Sequence, residues 1–375
     1  MSSHSLQVGR LFGIPVRAHV SWLLLFALAT ATLAGIYFPT YYPQWPQGVH
    51  YALGLATSLL LFASVLLHEL AHSLVARHQG LHVQGIVLFL LGGVSEISSE
   101  PSTPGAELVM AIAGPVASLA AGAVCALLWL PAMLQGHGQP LAAVLGYVCG
   151  INLSLGLFNL IPGFPLDGGR VLRAILWQRS HNLEWATRWA TRAARLIAVL
   201  CIACGAWQGV TTSLLNGLWL AAIGCFLDTT ARAGYQQVLI QTRLAGHTVA
   251  EIMIRDCPAL SPDRSLQEIA DQGLLQGACH GLPLVENGAL LGVLTPQRLQ
   301  AQPRHEWPRR TARQAMIPAG ELHITRPSQT LLEAVNALTG DNAPPLPVLE
   351  DGQLVGMLTP ERVVAFLKLQ ASVSG

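Results

Sequence analysis

Six long apolar runs constrain this chain more than any other feature. A hydrocarbon core about 30 Å thick is crossed by roughly 20 mainly apolar residues in a helix. Runs near 18–37, 51–76, 106–130, 141–162, 190–208 and 211–228 all qualify. Backbone polar groups in lipid must be satisfied within the spanning segment, so these runs predict transmembrane helices. Composition agrees, since 52% of the 375 residues are hydrophobic and 11% charged, where soluble proteins carry about 25% charged residues. A net charge of +1 without a local basic stripe excludes nucleic acid as the main partner. Seven cysteines without dense regular spacing predict no disulfide framework and say little about compartment.

The charges order the runs across the bilayer. With six spans, the N-terminus, the loops after spans two and four, and the tail share one side. That side holds Arg10, Arg17, Arg77, Arg170, Arg173, Arg179, Arg188, Arg192, Arg232 and Arg243. The opposite loops, about 38–50, 131–140 and 209–213, hold no Lys or Arg. The positive-inside rule therefore predicts cytoplasmic N- and C-termini. A cleavable signal peptide is the alternative reading of the first run, and this charge distribution argues against it.

Span two contains His68-Glu69-Leu70-Ala71-His72 between apolar neighbours. Histidines at i and i+4 share one helix face, so both imidazoles can bind one Zn²⁺ while the intervening Glu serves as general base. Three ionisable groups at membrane depth are costly unless partnered, which favours function over decoration. A catalytic zinc needs a third protein ligand, and that ligand must lie at the depth of His68. Span four ends in Asn159-Leu160-Ile161-Pro162-Gly163-Phe164-Pro165-Leu166-Asp167-Gly168-Gly169-Arg170, which brings Asp167 to that level. The two prolines break the helix there, and irregular backbone at such depth is tolerated where it is buried or lines a wet cavity.

Together these two stretches resemble the intramembrane zinc proteases of the site-two protease family. The resemblance implies that His68, His72 and Asp167 hold one Zn²⁺ per chain and that Glu69 is the general base. It also implies that Asn159 holds substrate or stabilises the oxyanion. Asn152, two turns earlier, reads as packing. The segment 85–97 is apolar, β-branched, split by a Gly pair and too short to span. It predicts a small membrane-edge β-hairpin, whose free edge can receive an extended substrate by β-augmentation. Ala113-Gly114-Pro115 resembles the family's Ala-Gly-Pro segment, with Ser118 at a position where the family often has Asn. That substitution is expected to leave the metal site untouched. Cys201 and Cys204 form a C-x-x-C inside span five without nearby His or acid, and read as packing residues.

From about Leu244 the chain is polar and contains a repeat. Leu282-Pro283-Leu284-Val285-Glu286-Asn287-Gly288 returns as Leu346-Pro347-Val348-Leu349-Glu350-Asp351-Gly352, each followed by a second strand and Thr-Pro. This resembles a tandem pair of CBS (cystathionine-beta-synthase-type) motifs. Such pairs often bind adenine nucleotides through an Asp that here is replaced by Arg298 and Arg362, which puts the ribose contact in doubt. A structural or dimerising module, forming a homodimer through the CBS motifs, is the other expectation.

The expected protein is thus a polytopic α-helical membrane protein with a C-terminal α/β CBS pair. Its parts are a metalloprotease domain over 1–230, a linker over 231–246, and CBS motifs over 247–305 and 306–370. The resemblance implies residence in a bacterial or archaeal inner membrane. It also implies cleavage within or near transmembrane segments of single-span substrates such as an anti-sigma or pro-sigma factor. A CBS-regulated channel or transporter would spread charged residues through several spans and show symmetry between span sets, and neither is evident. An inactive protease-like scaffold is opposed by the intact metal and base residues.

Overall fold

The structure, a computed structural model, describes residues 5–89, 92–98, 100–134, 139–244, 246–272, 279–338 and 344–373. Leu90 and Leu91, in the expected hairpin turn, lie outside them. The chain forms two compact units, Met1–Gln236 and Gln237–Gly375.

Unit one begins with two strands that sequence patterning did not predict, β1 (Ser5–Leu11) and β2 (Ile14–His19). Helix α1 (Val20–Thr32) follows at once, capped by the His19 ring, which accepts from the Ser21 amide. It passes through a π turn at Leu33–Tyr37 into the short α2 (Phe38–Tyr41). Then come α3 (Gln47–His78), β3 (Val83–Phe89), β4 (Gly92–Ile97), α4 (Pro104–Leu134) and α5 (Pro140–Asn159). The unit continues through α6 (Asp167–Ser180) and α7 (Leu183–Thr211) into α8 (Leu214–Leu244). Among the described residues six helical segments are long and apolar enough to cross a membrane, beginning at Val20, Gln47, Pro104, Pro140, Leu183 and Leu214. At 32 residues, α3 extends about 48 Å at 1.5 Å per residue, longer than the hydrocarbon core is thick.

The expected hairpin is part of a four-stranded sheet in the order β1-β2-β3-β4. Strands β2 and β3 run parallel, with Val16 opposite Ile86 and Ala18 opposite Leu88, and the outer pairs are antiparallel. Alternation places Ile14, Val16 and Ala18 inward, each buried. Ile14, Ile86 and Leu88 cluster with Leu70 of α3, with Trp22, Val65, Leu66 and Leu74 packed around them. The sheet therefore rests on the helix that carries the His-Glu motif, and β4 ends the sheet with a free edge among the described residues.

Unit two realises the repeat. Strands β5 (Leu282–Glu286) and β6 (Ala289–Leu294) form one hairpin, and β8 (Leu346–Glu350) and β9 (Gln353–Leu358) the other. Their order is β5-β6-β9-β8, with β7 (Ile317–Pro318) on β6. Asn287-Gly288 and Asp351-Gly352 turn the hairpins in left-handed conformations, the signature of a type I′ turn. Short helices α9 (Val249–Ile252), α10 (Leu266–Asp271), α11 (Pro296–Gln300), α12 (Ala312–Ala315) and α13 (Leu331–Ala337) precede the closing α14 (Pro360–Val373). Capping boxes Thr248/Glu251 and Thr311/Gln314 start α9 and α12, so the repeat extends to local chemistry.

The two copies interlock. Val249 and Ile252 of the first copy pack with Leu346, Val348 and Leu358 of the second, while Ala312 of the second packs with Leu282, Leu284 and Leu294 of the first. A disulfide joins Cys257 to Cys279. Its partners are 22 residues apart, a pairing that sequence spacing did not reveal. Cys201 and Cys204 are free thiols, the first half-buried and the second exposed.

Candidate metal centre

Three side chains from two segments 95 residues or more apart meet at one point. One turn of α3 separates His68 from His72, and their rings stand nearly at right angles with centroids 4.9 Å apart. Their Nε2 atoms are 3.3 Å apart and lie 3.1 and 3.2 Å from Asp167 Oδ2. Both histidines are buried.

The chain after α5 explains how Asp167 arrives there. The turn 160–166 contains a cis Phe164–Pro165 bond, and Leu166 caps α6, so Asp167 is its first residue. A Cβ on Gly168 would lie 2.3 Å from the Leu160 carbonyl oxygen, and one on Gly169 would lie 2.5 Å from the Phe164 nitrogen. Only a Gly pair lets the first turn of α6 close on the preceding loop, which turns the carboxylate toward α3.

The distal nitrogens of both imidazoles are engaged by α4. His72 Nδ1 donates to the Met110 carbonyl at 2.7 Å. A carbonyl only accepts, so the proton sits on Nδ1 and Nε2 keeps its lone pair. His68 Nδ1 lies 2.9 Å from Ser118 Oγ. Ser118 therefore does touch the metal centre, which corrects the expectation that its substitution leaves the site untouched. Between these contacts, Gly114 lies directly beneath the imidazoles. A Cβ there would lie 2.2 Å from His72 Nε2 and 2.6 Å from His68 Nε2. Met110, Gly114 and Ser118 recur every four residues, so helical spacing alone marked this face.

Two imidazole nitrogens and one carboxylate oxygen, with the distal nitrogens fixed and a small residue below, make a donor set that suits zinc with an open position. Among the described residues this is the one His/Cys/Asp/Glu group placed to hold a metal ion.

Glu69 occupies the adjoining position. Ser95 of β4 donates its hydroxyl to Glu69 Oε2 at 2.9 Å, and Ser73 donates to Ser95 at 3.0 Å. The hairpin strand thus orients the acid, a contact that sequence reasoning missed. Asn159 is turned to its own helix instead. Its amide donates to the Leu155 carbonyl at 2.9 Å and makes no hydrogen bond to His68, Glu69, His72 or Asp167. Asn152, buried, donates to Ser64 and the Val148 carbonyl, as a packing residue does. In the tail, a cavity lined by Arg255, Cys257, Val285, Gly288, Gln353 and Gly356 includes neither Arg298 nor Arg362. Arg362 instead donates to the Ile252 carbonyl at 3.3 Å.

A bundle of apolar helices enclosing a His-His-Asp site with an adjacent glutamate defines a membrane-embedded metallohydrolase. Comparison with known proteins places it further. The model of peptidase family M50 matches residues 56–139 and 137–203, and the CBS domain model matches 249–300 and 313–369. A Synechocystis sp. protein carrying the designation zinc metalloprotease sll0528 is 33% identical over 99% of this chain and 97% of its own. Zinc metalloprotease MJ0392 of Methanocaldococcus jannaschii is 30% identical over 78% of each chain. The solved site-2 protease from Methanocaldococcus jannaschii is 30% identical, covering 61% of this chain and 94% of that one with a TM-score of 0.40. This chain belongs to peptidase family M50: it is an integral membrane zinc metalloprotease of the site-2 type with a C-terminal pair of CBS domains.

Proposed function

We propose that this chain hydrolyses peptide bonds within or beside the transmembrane segments of membrane-anchored substrates, with His68, His72 and Asp167 as zinc ligands and Glu69 as general base. The convergence of those three donor atoms beside a serine-oriented glutamate carries the reading. Zinc supplies a Lewis acid that makes water acidic near neutral pH and polarises a carbonyl. Glu69 takes the proton of the attacking water at Oε1, because Oε2 is held by Ser95. The free edge of β4 offers main-chain hydrogen bonds to an unwound substrate, in register with the acid that β4 itself orients. A transmembrane helix must unwind before its peptide bonds become accessible, and pairing with a strand edge stabilises the extended form.

Asn159 acts on the substrate in this reading once its amide leaves the Leu155 carbonyl. The arginine distribution supports cytoplasmic termini and a site reached from that side, in an inner membrane of bacterial or archaeal type. Substrates are single-span membrane proteins, with regulators such as anti-sigma or pro-sigma factors as the candidates the family suggests. The CBS pair, over 247–305 and 306–370 beyond a 231–246 connector, regulates the protease or joins two copies of it. An adenine nucleotide there would need contacts other than Asp at positions 298 and 362.

The test compares membrane-protein fragments in cells carrying the wild-type chain or Glu69→Gln. The variant is expected to keep zinc and fold while losing about 10²–10⁴-fold in turnover. Full activity would remove Glu69 from the chemistry.

A further inference from the structure

One buried ion pair takes no part in the chemistry above. Glu107 on α4 and Arg173 on α6 are 1% and 3% exposed. Arg173 Nε donates to Glu107 Oε1 at 2.6 Å, and a second guanidinium nitrogen also meets that oxygen. The same guanidinium donates to Glu100 at 3.1 Å and lies over the Phe164 ring, 5.4 Å from its centroid. Arg170 Nε stands 3.9 Å from Glu107 Oε1.

Two charges buried in a helical bundle are a poor source of net stability, because desolvation offsets their attraction, and an apolar pair of similar volume does as well. Their better-attested use is to fix register. The positions of these residues show what is registered. Glu107 precedes Met110 by three residues on α4, and the Met110 carbonyl accepts from His72 Nδ1. Phe164 precedes Asp167 by three residues, and Arg173 lies on the helix that Asp167 begins. The guanidinium therefore grips the segment that orients a histidine and the turn that delivers the carboxylate. A rigid planar fork holds three partners at once, which a point charge on a flexible stem does not.

We infer that Arg173, with Glu107, is a positioning residue that sets the reach between Asp167 and the His68/His72 pair, and so tunes metal affinity. The inference rests on the reading of those three side chains as zinc ligands. The test uses the purified full-length protein, stripped of metal and titrated with zinc against a chromogenic chelator, with the melting temperature of the metal-free form measured in parallel. Glu107→Gln/Arg173→Gln removes both charges of the buried pair together, leaving only the more exposed Glu100 and Arg170 without these partners, and zinc affinity is expected to fall about 10–100-fold with the metal-free melting temperature unchanged. Arg173→Lys keeps a charge beside Glu107 but not the fork, and is expected to lie between this variant and wild type. Wild-type affinity in both variants overturns the inference, as does an affinity loss that merely tracks a lowered melting temperature or failure to fold. His68→Ala/His72→Ala is the control. If it retains zinc as tightly as wild type, the ligand assignment itself falls, whatever Arg173 does.

Discussion

The imidazoles of His68 and His72 are held at both ends, by Asp167 on one side and by Met110 and Ser118 on the other. Removing the Ser118 hydroxyl should let the His68 ring turn. Ser118→Ala is expected to weaken zinc binding about tenfold, measured by chelator competition. Gly114→Ala should be harsher. Its methyl would sit on both Nε2 atoms, so zinc content by elemental analysis should drop to background while the helices remain. At this scale the sequence was legible where chemistry is written in residue type, as in His68, Glu69, His72 and Asp167. It was opaque where a residue acts through its backbone or its smallness. The Met110 carbonyl has no signature, and Gly114 was legible only as part of the Ala-Gly-Pro resemblance because the His rings it faces lie 42 and 46 positions away in the chain.

At the scale of elements, the His-Glu helix is shared between two neighbours, with α4 behind the histidines and the sheet over the glutamate. Ser95 is the point where the sheet touches the chemistry. Ser95→Ala is expected to lower kcat several-fold with little change in KM, since the acid loses its orientation while the β4 edge remains. An equal loss in KM would show that the hydroxyl serves substrate binding instead. The hairpin was visible from its β-branched run, whereas β1 and β2 were not. Ile14, Val16 and Ala18 alternate with Pro15, Arg17 and His19, but the apolar run that starts beside them dominates any reading by hydropathy. A parallel partner from residues 83–89 also has no local signal. The helical spans were legible because bilayer thickness sets their length. The continuation of the last one to Leu244 was not, because Asp228-Thr229-Thr230, Arg232 and Gln236-Gln237 interrupt its apolar run.

For the whole molecule, the tail's compartment has two physical markers. Arginine distribution predicts the cytoplasmic side, where thiols are kept reduced. The Cys257–Cys279 pairing is a bond that an oxidising compartment preserves. Alkylation of thiols in intact cells followed by mass spectrometry separates them. With the tail in the cytoplasm, both cysteines should carry the label without added reductant. Protection of both would place the tail on the opposite face and reverse the predicted topology. The repeat itself was plain in the sequence. Its cross-packing was not, because Val249 and Ala312 look equivalent whichever copy receives them.

That cross-packing leaves neither half of the tail with a keel of its own. Val249 fills a hollow in the later copy and Ala312 fills one in the earlier. A premature stop between the first hairpin and Ala312 would remove the later copy and, with it, the residue that fills the earlier one. Such an allele should behave in the cell like loss of the entire appendage, with no half-working remnant to select.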